Sequence, residues 1–174
     1  MLHGDHPGRV DPRPAPDDPG DAAALRAHAT ALADAVEAAL PGWVERGVTA
    51  RLAEAGRPVP EAVAEAAHRA GQEARAEAGA AVRALLARDV DDQPTGPLAL
   101  LRGAARYPTA VLAAAGVPPV ARDEVDRRLH PDDVYALGPA SFRDVHPDLH
   151  EPGLVWGAAK AHVVLARRRR EGRR

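Results

Sequence analysis

Along most of this chain apolar residues recur at steps of three and four, and then the period stops. Leu25, Ala29, Leu32, Val36 and Leu40 fall on one face of a helix that Asp18 or Asp21 can cap. Pro41 predicts a kink or break, after which Val44, Val48 and Leu52 share one side of a helix over 43–55. Gly56 should end it as a left-handed cap, and Pro58 and Pro60 make a short connector. A longer helix is predicted over 61–88, with Val63, Ala67, Ala70, Ala74, Ala78, Ala81 or Val82, and Leu85 on its buried stripe. The acids Asp89, Asp91 and Asp92 belong to the following loop, because a helix C-terminus disfavours negative charge.

Shorter elements follow. Thr95 with Pro97 reads as the capped start of a helix over 98–106, with Leu98, Leu101 and Ala105 inward and Pro108 as its breaker. Thr109 can cap a further turn over 110–115 that Gly116 closes, and Pro118-Pro119 leads into a charged helix over 123–129.

From His130 to Trp156 the pattern is aperiodic: HPDDVYALGPASFRDVHPDLHEPGLVW. Pro131, Pro139, Pro147 and Pro152 are each expected to open a helical turn, with Val134, Tyr135, Leu137, Phe142 and Leu149 as inward anchors. A last helix over 152–168 carries Leu154, Val155, Ala158, Ala159, His162 and Leu165 on one face. The fold class is therefore all-α: an irregular bundle of three longer helices (21–55, 61–88 and 152–168) crossed by short proline-initiated ones. Residues 1–20, with five prolines and four aspartates, read as a disordered tail, 21–168 as a single domain, and 169–174 as an arginine-rich tail.

Composition narrows the chemistry. The chain has 174 residues and a net charge of −2, with 40 alanines, no isoleucine and 3% aromatic residues, so its core must be thin and closely spaced. It has no cysteine, which removes disulfides, thiolate zinc sites and cysteine catalysis. No apolar run reaches the ~18 residues of a membrane span, no signal peptide is evident, and a cytoplasmic location is expected. Lys160 is the only lysine, and the preference for arginine is read as a mark of a GC-rich genome.

Few side chains form a chemical constellation. His146 and His150 have the spacing of a helical metal pair, with Asp144, Asp148 and Glu151 nearby, but Pro147 lies between them and no third ligand stands out. They are read as cap and turn residues, so no metal or cofactor is expected. Asp132-Asp133 suits a helix start, and Ser141, in GPASF, lacks the glycine-flanked elbow of a nucleophile. His162 reads as a core histidine, and Trp156 with Lys160 as a stacked cation. Lys160, Arg167 to Arg170, Arg173 and Arg174, less Glu171, give the last 15 residues a charge of +6, and Arg167, Arg168, Arg169 and Arg170 are candidate phosphate contacts. Segment 122–151, with four arginines and eight acids, carries −4 and is an alternative seat for that tail.

Two stretches, PLALLRGAARYPTAVLAAAGVPPVARD (97–123) and PDDVYALGPASFRDVHPDLHEPGLVWGAAKA (131–161), resemble a family of small uncharacterised helical proteins from high-GC bacteria. That resemblance implies no activity. The functional expectation is a non-enzymatic interaction or adaptor protein that presents Tyr135, Phe142 and Trp156 to a protein partner or a second copy. Next come a nucleic-acid or ribosome-associated factor using the arginine tail, and last a metal-dependent enzyme.

Overall fold

The computed structural model describes residues 19–88 and 94–149. All regular structure among them is helical: α1 (Pro19–Glu54), α2 (Glu61–Ala74), a π turn (Arg75–Gly79), α3 (Ala80–Leu86), α4 (Pro97–Gly103), α5 (Arg106–Ala114), α6 (Glu124–Leu129) and α7 (Phe142–Val145). Of the expected tail 1–20, residues 1–18 lie outside the described residues, as do the acids Asp89, Asp91 and Asp92 and the expected helix 152–168, while Pro19 and Gly20 already belong to α1.

The first helix is the axis. Leu32, Val36, Leu40, Val44, Val48 and Leu52 recur every four residues and are all fully buried. An α-helix turns once in about 3.6 residues, so a four-residue step drifts roughly 40° each time. Five such steps carry the stripe through about 200°. A helix buried by turns on different sides needs partners on each of them, and α1 packs against α2, the π turn, α3, α5 and α7. Of the kink or break expected at Pro41, the break does not occur. The helix continues through that proline, because a break there would throw Leu40 and Val44 out of the common stripe. The helix starts two residues before the expected boundary at 21, and Asp18, one of the two expected caps, lies outside the described residues. Pro19 is the first helical residue, a position where its missing N–H leaves no bond unmade.

The second long element returns antiparallel to α1. His68 meets Glu45 (Nδ1 to Oε1, 2.9 Å). Farther along, Arg83 donates through Nε and Nη2 to both carboxylate oxygens of Glu37 (2.7 and 2.8 Å) and through Nη2 to Asp34 (2.6 Å). Its buried seam is Ala67, Ala70, Gly71, Ala74, Ala78 and Gly79, so the two backbones come very close. A Cβ on Gly71 would stand 2.9 Å from Pro41 Cα and 3.0 Å from Pro41 O. The π turn follows from the spacing. Ala74, Ala78 and Val82 are four apart, and one extra residue in the turn keeps all three on the seam. Val82, and not Ala81, is the buried residue of that expected pair.

Gly56 and Gly116, both at φ +66°, close α1 and α5 in the same way. The N–H after each reaches back five residues, Arg57 to Leu52 O (2.9 Å) and Val117 to Leu112 O (3.0 Å). Three boundaries differ from expectation. Gly96, not Thr95, precedes α4, whose first residue is Pro97. The chain turns at Ala104 and Ala105, both buried, so Pro108 falls inside the first turn of α5, where it breaks nothing. Thr109 is therefore inside a helix and does not cap one. The proline staircase also shortens. Turns occupy 131–139, and among the described residues of this stretch only Phe142–Val145 is helical, with Ser141 and not Pro139 at its start.

Two outcomes follow. Gly71→Ala gains about 1 kcal/mol of helix propensity but drives a methyl into the α1 backbone, so a net loss of roughly 1–3 kcal/mol is expected. Gly103→Ala, with nothing within 4 Å of the added carbon, should be neutral or mildly stabilising. Urea denaturation of both variants separates seam packing from propensity. The hydrogen bond from Arg83 holds the Glu37 carboxyl below its ordinary value of 4.5. The stability this adds is complete above that value and is lost as pH falls through the lowered one. The urea midpoint should drop between about pH 7 and about pH 3, and Glu37→Gln should narrow the drop.

Candidate functional site

The segment after α5 has no regular ladder, so its backbone groups need individual partners. Arg122 supplies most of them. Its side chain is only 4% exposed and lies under α6. Nε donates to Asp126 Oδ2 (2.7 Å), Nη2 to Asp126 O (3.0 Å), and Nη1 to His130 O (2.9 Å) and Asp133 O (2.5 Å). One guanidinium thus ties the last turn of α6 to the turn that follows. Hydrogen bonding to Arg122 holds the Asp126 carboxyl below the usual carboxylate range.

Beyond that clamp, Asp133 takes N–H groups on both carboxylate oxygens, from Leu137 (2.7 Å) and Gly138 (2.6 Å). Ala136, between them, sits at φ +52°. That left-handed conformation costs an alanine roughly 1–2 kcal/mol, and the Asp133 bonds help to offset it. Asp144 does similar work, accepting from Ala140 (2.8 Å) and Ser141 (2.9 Å) at the start of α7. Tyr135 is 2% exposed and donates its hydroxyl to Val117 O (2.6 Å), while Phe142 is 1% exposed.

Those two burials correct the proposed surface. Tyr135 and Phe142 are core anchors, joined by Val145 and Leu149, and present nothing to a partner. Val134 and Leu137 are half-buried against the same core. Trp156, the third expected member, lies outside the described residues, as do His150, His162 and Arg167 to Arg170. His146 follows α7 and accepts the Asp148 N–H on Nδ1 (3.2 Å), the local turn role expected of it. Among the described residues no cluster of three or more histidines and acids is placed to hold a metal ion.

Between α4, the start of α5, α6 and the 130–140 turns lies a cleft of about 620 Å³. Small residues such as Ala99, Gly103 and Gly138 line it, together with Leu129. Its charged side chains are Arg102, Arg106, Asp126, Asp132 and Asp133, with His130 among them. Most are already committed. Arg106 stacks 4.7 Å over the Tyr107 ring and bonds Tyr107 Oη (2.7 Å) and Glu77 Oε2 (2.9 Å). Tyr107 Oη also donates to Glu77 (2.6 Å). Burial, and then the Glu77 bond, push the phenol up, and the Tyr107 bond pulls the Glu77 carboxyl down. This network joins the π turn to the cleft wall. Arg102 gives Nε to Pro139 O (3.2 Å). Among the described residues the side chains of His130 and Asp132 make no hydrogen bond, so they and the ends of Arg102 are the polar groups open to a visitor.

One helix stands apart. α6 buries none of its side chains; Val125 and Leu129, one turn apart, are 67% and 68% exposed. Asp123 caps its start by accepting from Asp126 N (2.7 Å), and Arg122 holds its end. Sequence reading missed the clamp and the exposed ridge. Arg122 and Asp126 do stand four apart, as an ion pair on a helix would, and that was the available signal for the clamp.

Comparison of the chain with protein-family models, with curated proteins and with solved structures finds no match.

Removing the clamp should be expensive. Arg122→Met keeps the stem but leaves three carbonyls and the Asp126 carboxylate without this donor, for a loss of roughly 2–4 kcal/mol. Tyr135→Phe, which removes one bond to Val117 O, should lose about 1 kcal/mol. Denaturant titration of the two variants orders them; equal losses would argue against the clamp.

Proposed function

We propose that this protein is a protein–protein interaction module, and that it recognises its partner through the α6 ridge and the adjoining cleft. One observation carries the reading: α6 is fixed by hydrogen bonds and not by packing, with its apolar pair Val125 and Leu129 turned outward. Single exposed aliphatics need no explanation. Here two lie on one face of a helix with no buried side chain, beside a concave surface that Leu129 also lines. An apolar centre with a polar rim is how small interfaces are built, and Arg102, His130 and Asp132 supply such a rim.

The reading keeps the expected class of function and moves its surface away from Tyr135 and Phe142. A cleft of about 620 Å³ suits a peptide segment or a few anchoring side chains of a partner. No helix among the described residues is long and apolar enough to cross a membrane.

The test is a ridge variant, Val125→Asp with Leu129→Asp, whose exposed positions should leave the melting temperature unchanged. A partner isolated on the parent chain and then purified should bind the variant at least about tenfold more weakly, or 1.4 kcal/mol. Equal affinity for parent and variant overturns the ridge as the recognition surface. Sedimentation equilibrium separates the second-copy case, in which the chain itself dimerises with concentration and the variant does not.

A further inference from the structure

The cleft beside α6 is lined by charges of both signs, and their existing bonds decide which remain for a ligand. Two arginines, Arg102 and Arg106, and three aspartates, Asp126, Asp132 and Asp133, give the lining a net −1 with His130 neutral. Asp133 has both carboxylate oxygens on the N–H groups of Leu137 and Gly138. Asp126 takes Arg122 on Oδ2, and Arg106 is held on Glu77 and Tyr107 through Nη2. Asp132 is exposed and makes no hydrogen bond among the described residues. That leaves one carboxylate, one arginine and the His130 imidazole.

The arginine is held in a particular way. A guanidinium can bind side-on, through Nε and one Nη, or end-on, through both Nη groups. Arg102 gives Nε to Pro139 O (3.2 Å), and its Nη1 and Nη2 make no bond among the described residues, so the end-on fork is the free one. The carbonyl that holds it is framed on both sides. Pro139 is buried, Asp133 accepts from Gly138 N before it, and Asp144 accepts from Ala140 N and Ser141 N after it. A fork oriented before binding takes a carboxylate through two parallel bonds at less ordering cost.

Charge and size then select the ligand. A phosphate also fits a fork, but its nearly double negative charge would enter a lining that is already negative. One carboxylate with one basic group nearby meets Arg102 and Asp132 and leaves neither unpaired. A volume of about 620 Å³ takes a drug-sized ligand, which for a peptide is a few residues. Gly103, on the lining, has nothing within 4 Å of an added Cβ, so open space reaches the backbone there.

We infer that the cleft seats a peptide segment of the partner that carries one acidic and one basic side chain. The acid sits end-on on the Arg102 fork, and the base pairs with Asp132. His130, which offers one donor and one acceptor when neutral, is left for the peptide backbone. The inference rests on the reading of the ridge and cleft as a recognition surface, and it names the chemistry of the partner.

Pools of acetylated, amidated tetrapeptides are the probe: with an acid and a base, with either alone, and with neither. Binding is followed by the Arg102 Nε–H signal and the backbone amides of 129–140 in nitrogen-edited NMR. The mixed pool should shift these signals at about tenfold lower concentration than either single-charge pool. Arg102→Gln and Arg102→Lys should each weaken it about tenfold, because lysine keeps the charge without the fork. Asp132→Asn should reduce the mixed pool to the level of the acid-only pool. Gly103→Leu, which fills open space, should abolish binding while the urea midpoint stays near that of the parent. Silence from every pool at millimolar concentration overturns the inference, as does an equal response to the acid-only and mixed pools. So do full affinity in Arg102→Lys, binding that survives Gly103→Leu, and tighter binding of inorganic phosphate than of the mixed pool. Any of these, with partner binding still lost in the Val125→Asp, Leu129→Asp pair, leaves the interaction reading standing on the ridge alone. Peptide binding at Arg102 with a partner indifferent to that pair overturns the ridge and keeps the cleft.

Discussion

The four-residue spacing of large side chains on α1 is the constraint on which the other elements depend. A stripe of that period winds round its own helix and cannot be covered from one side. The chain answers with neighbours placed in succession: α3 and the π turn against the N-terminal half, α2 along the middle, α5 and α7 against the C-terminal half. This also explains why Pro41 is tolerated. One lost hydrogen bond is a smaller penalty than putting Val44, Val48 and Leu52 out of phase.

With alanine as the principal apolar residue, burial per contact is small, and stability must come from short spacing between backbones. At Gly71 over Pro41 that spacing leaves no room for a Cβ, and at Gly79 a Cβ would meet the Glu37 side chain at 2.7 Å. Close helices still leave the loops to be fixed, and here arginine has a structural use that composition did not suggest. Arg46 bonds Val145 O (2.7 Å), Arg57 bonds Ala115 O (2.9 Å), Arg102 bonds Pro139 O, and Arg122 bonds three carbonyls of its own segment. A guanidinium presents several donors in one plane, so it can satisfy carbonyls that no ladder reaches; a lysine would offer a point charge with less geometric reach. A residue bias read as genomic thus also serves as the mortar of the aperiodic half.

What was legible in the sequence follows from these two kinds of contact. Helix faces set by period were readable: Leu32 to Leu52, Ala67 to Leu85, and the Gly56 and Gly116 closures all stand where spacing and residue type put them. The all-α class was readable for the same reason. Partners defined by backbone carbonyls were not, because a carbonyl carries no residue identity; nothing in the letters marks His130 O or Asp133 O as the target of Arg122. Tyr135 and Phe142 were read as anchors and as a surface at once, and only three-dimensional placement separates the two roles. Val125 and Leu129 were hidden differently. Their four-residue spacing is the signature of a buried stripe, and here it faces outward.

That inversion bears on the segment from His130 onward. Had α6 been anchored by Val125 and Leu129, those side chains would lie in the core and the helix would be ordinary architecture. Instead a charged clamp at 4% exposure holds the helix from beneath, and its directional bonds fix both the position of α6 and its rotation. The apolar face is thereby released from structural duty while the helix that carries it is hydrogen-bonded at both ends. A contact surface that does not reorganise on binding loses less entropy when it engages. The aperiodic stretch acts as a frame: Tyr135 and Phe142 close the core, Asp133 fixes the turn between them, and α6 and the cleft beside it are left at the surface.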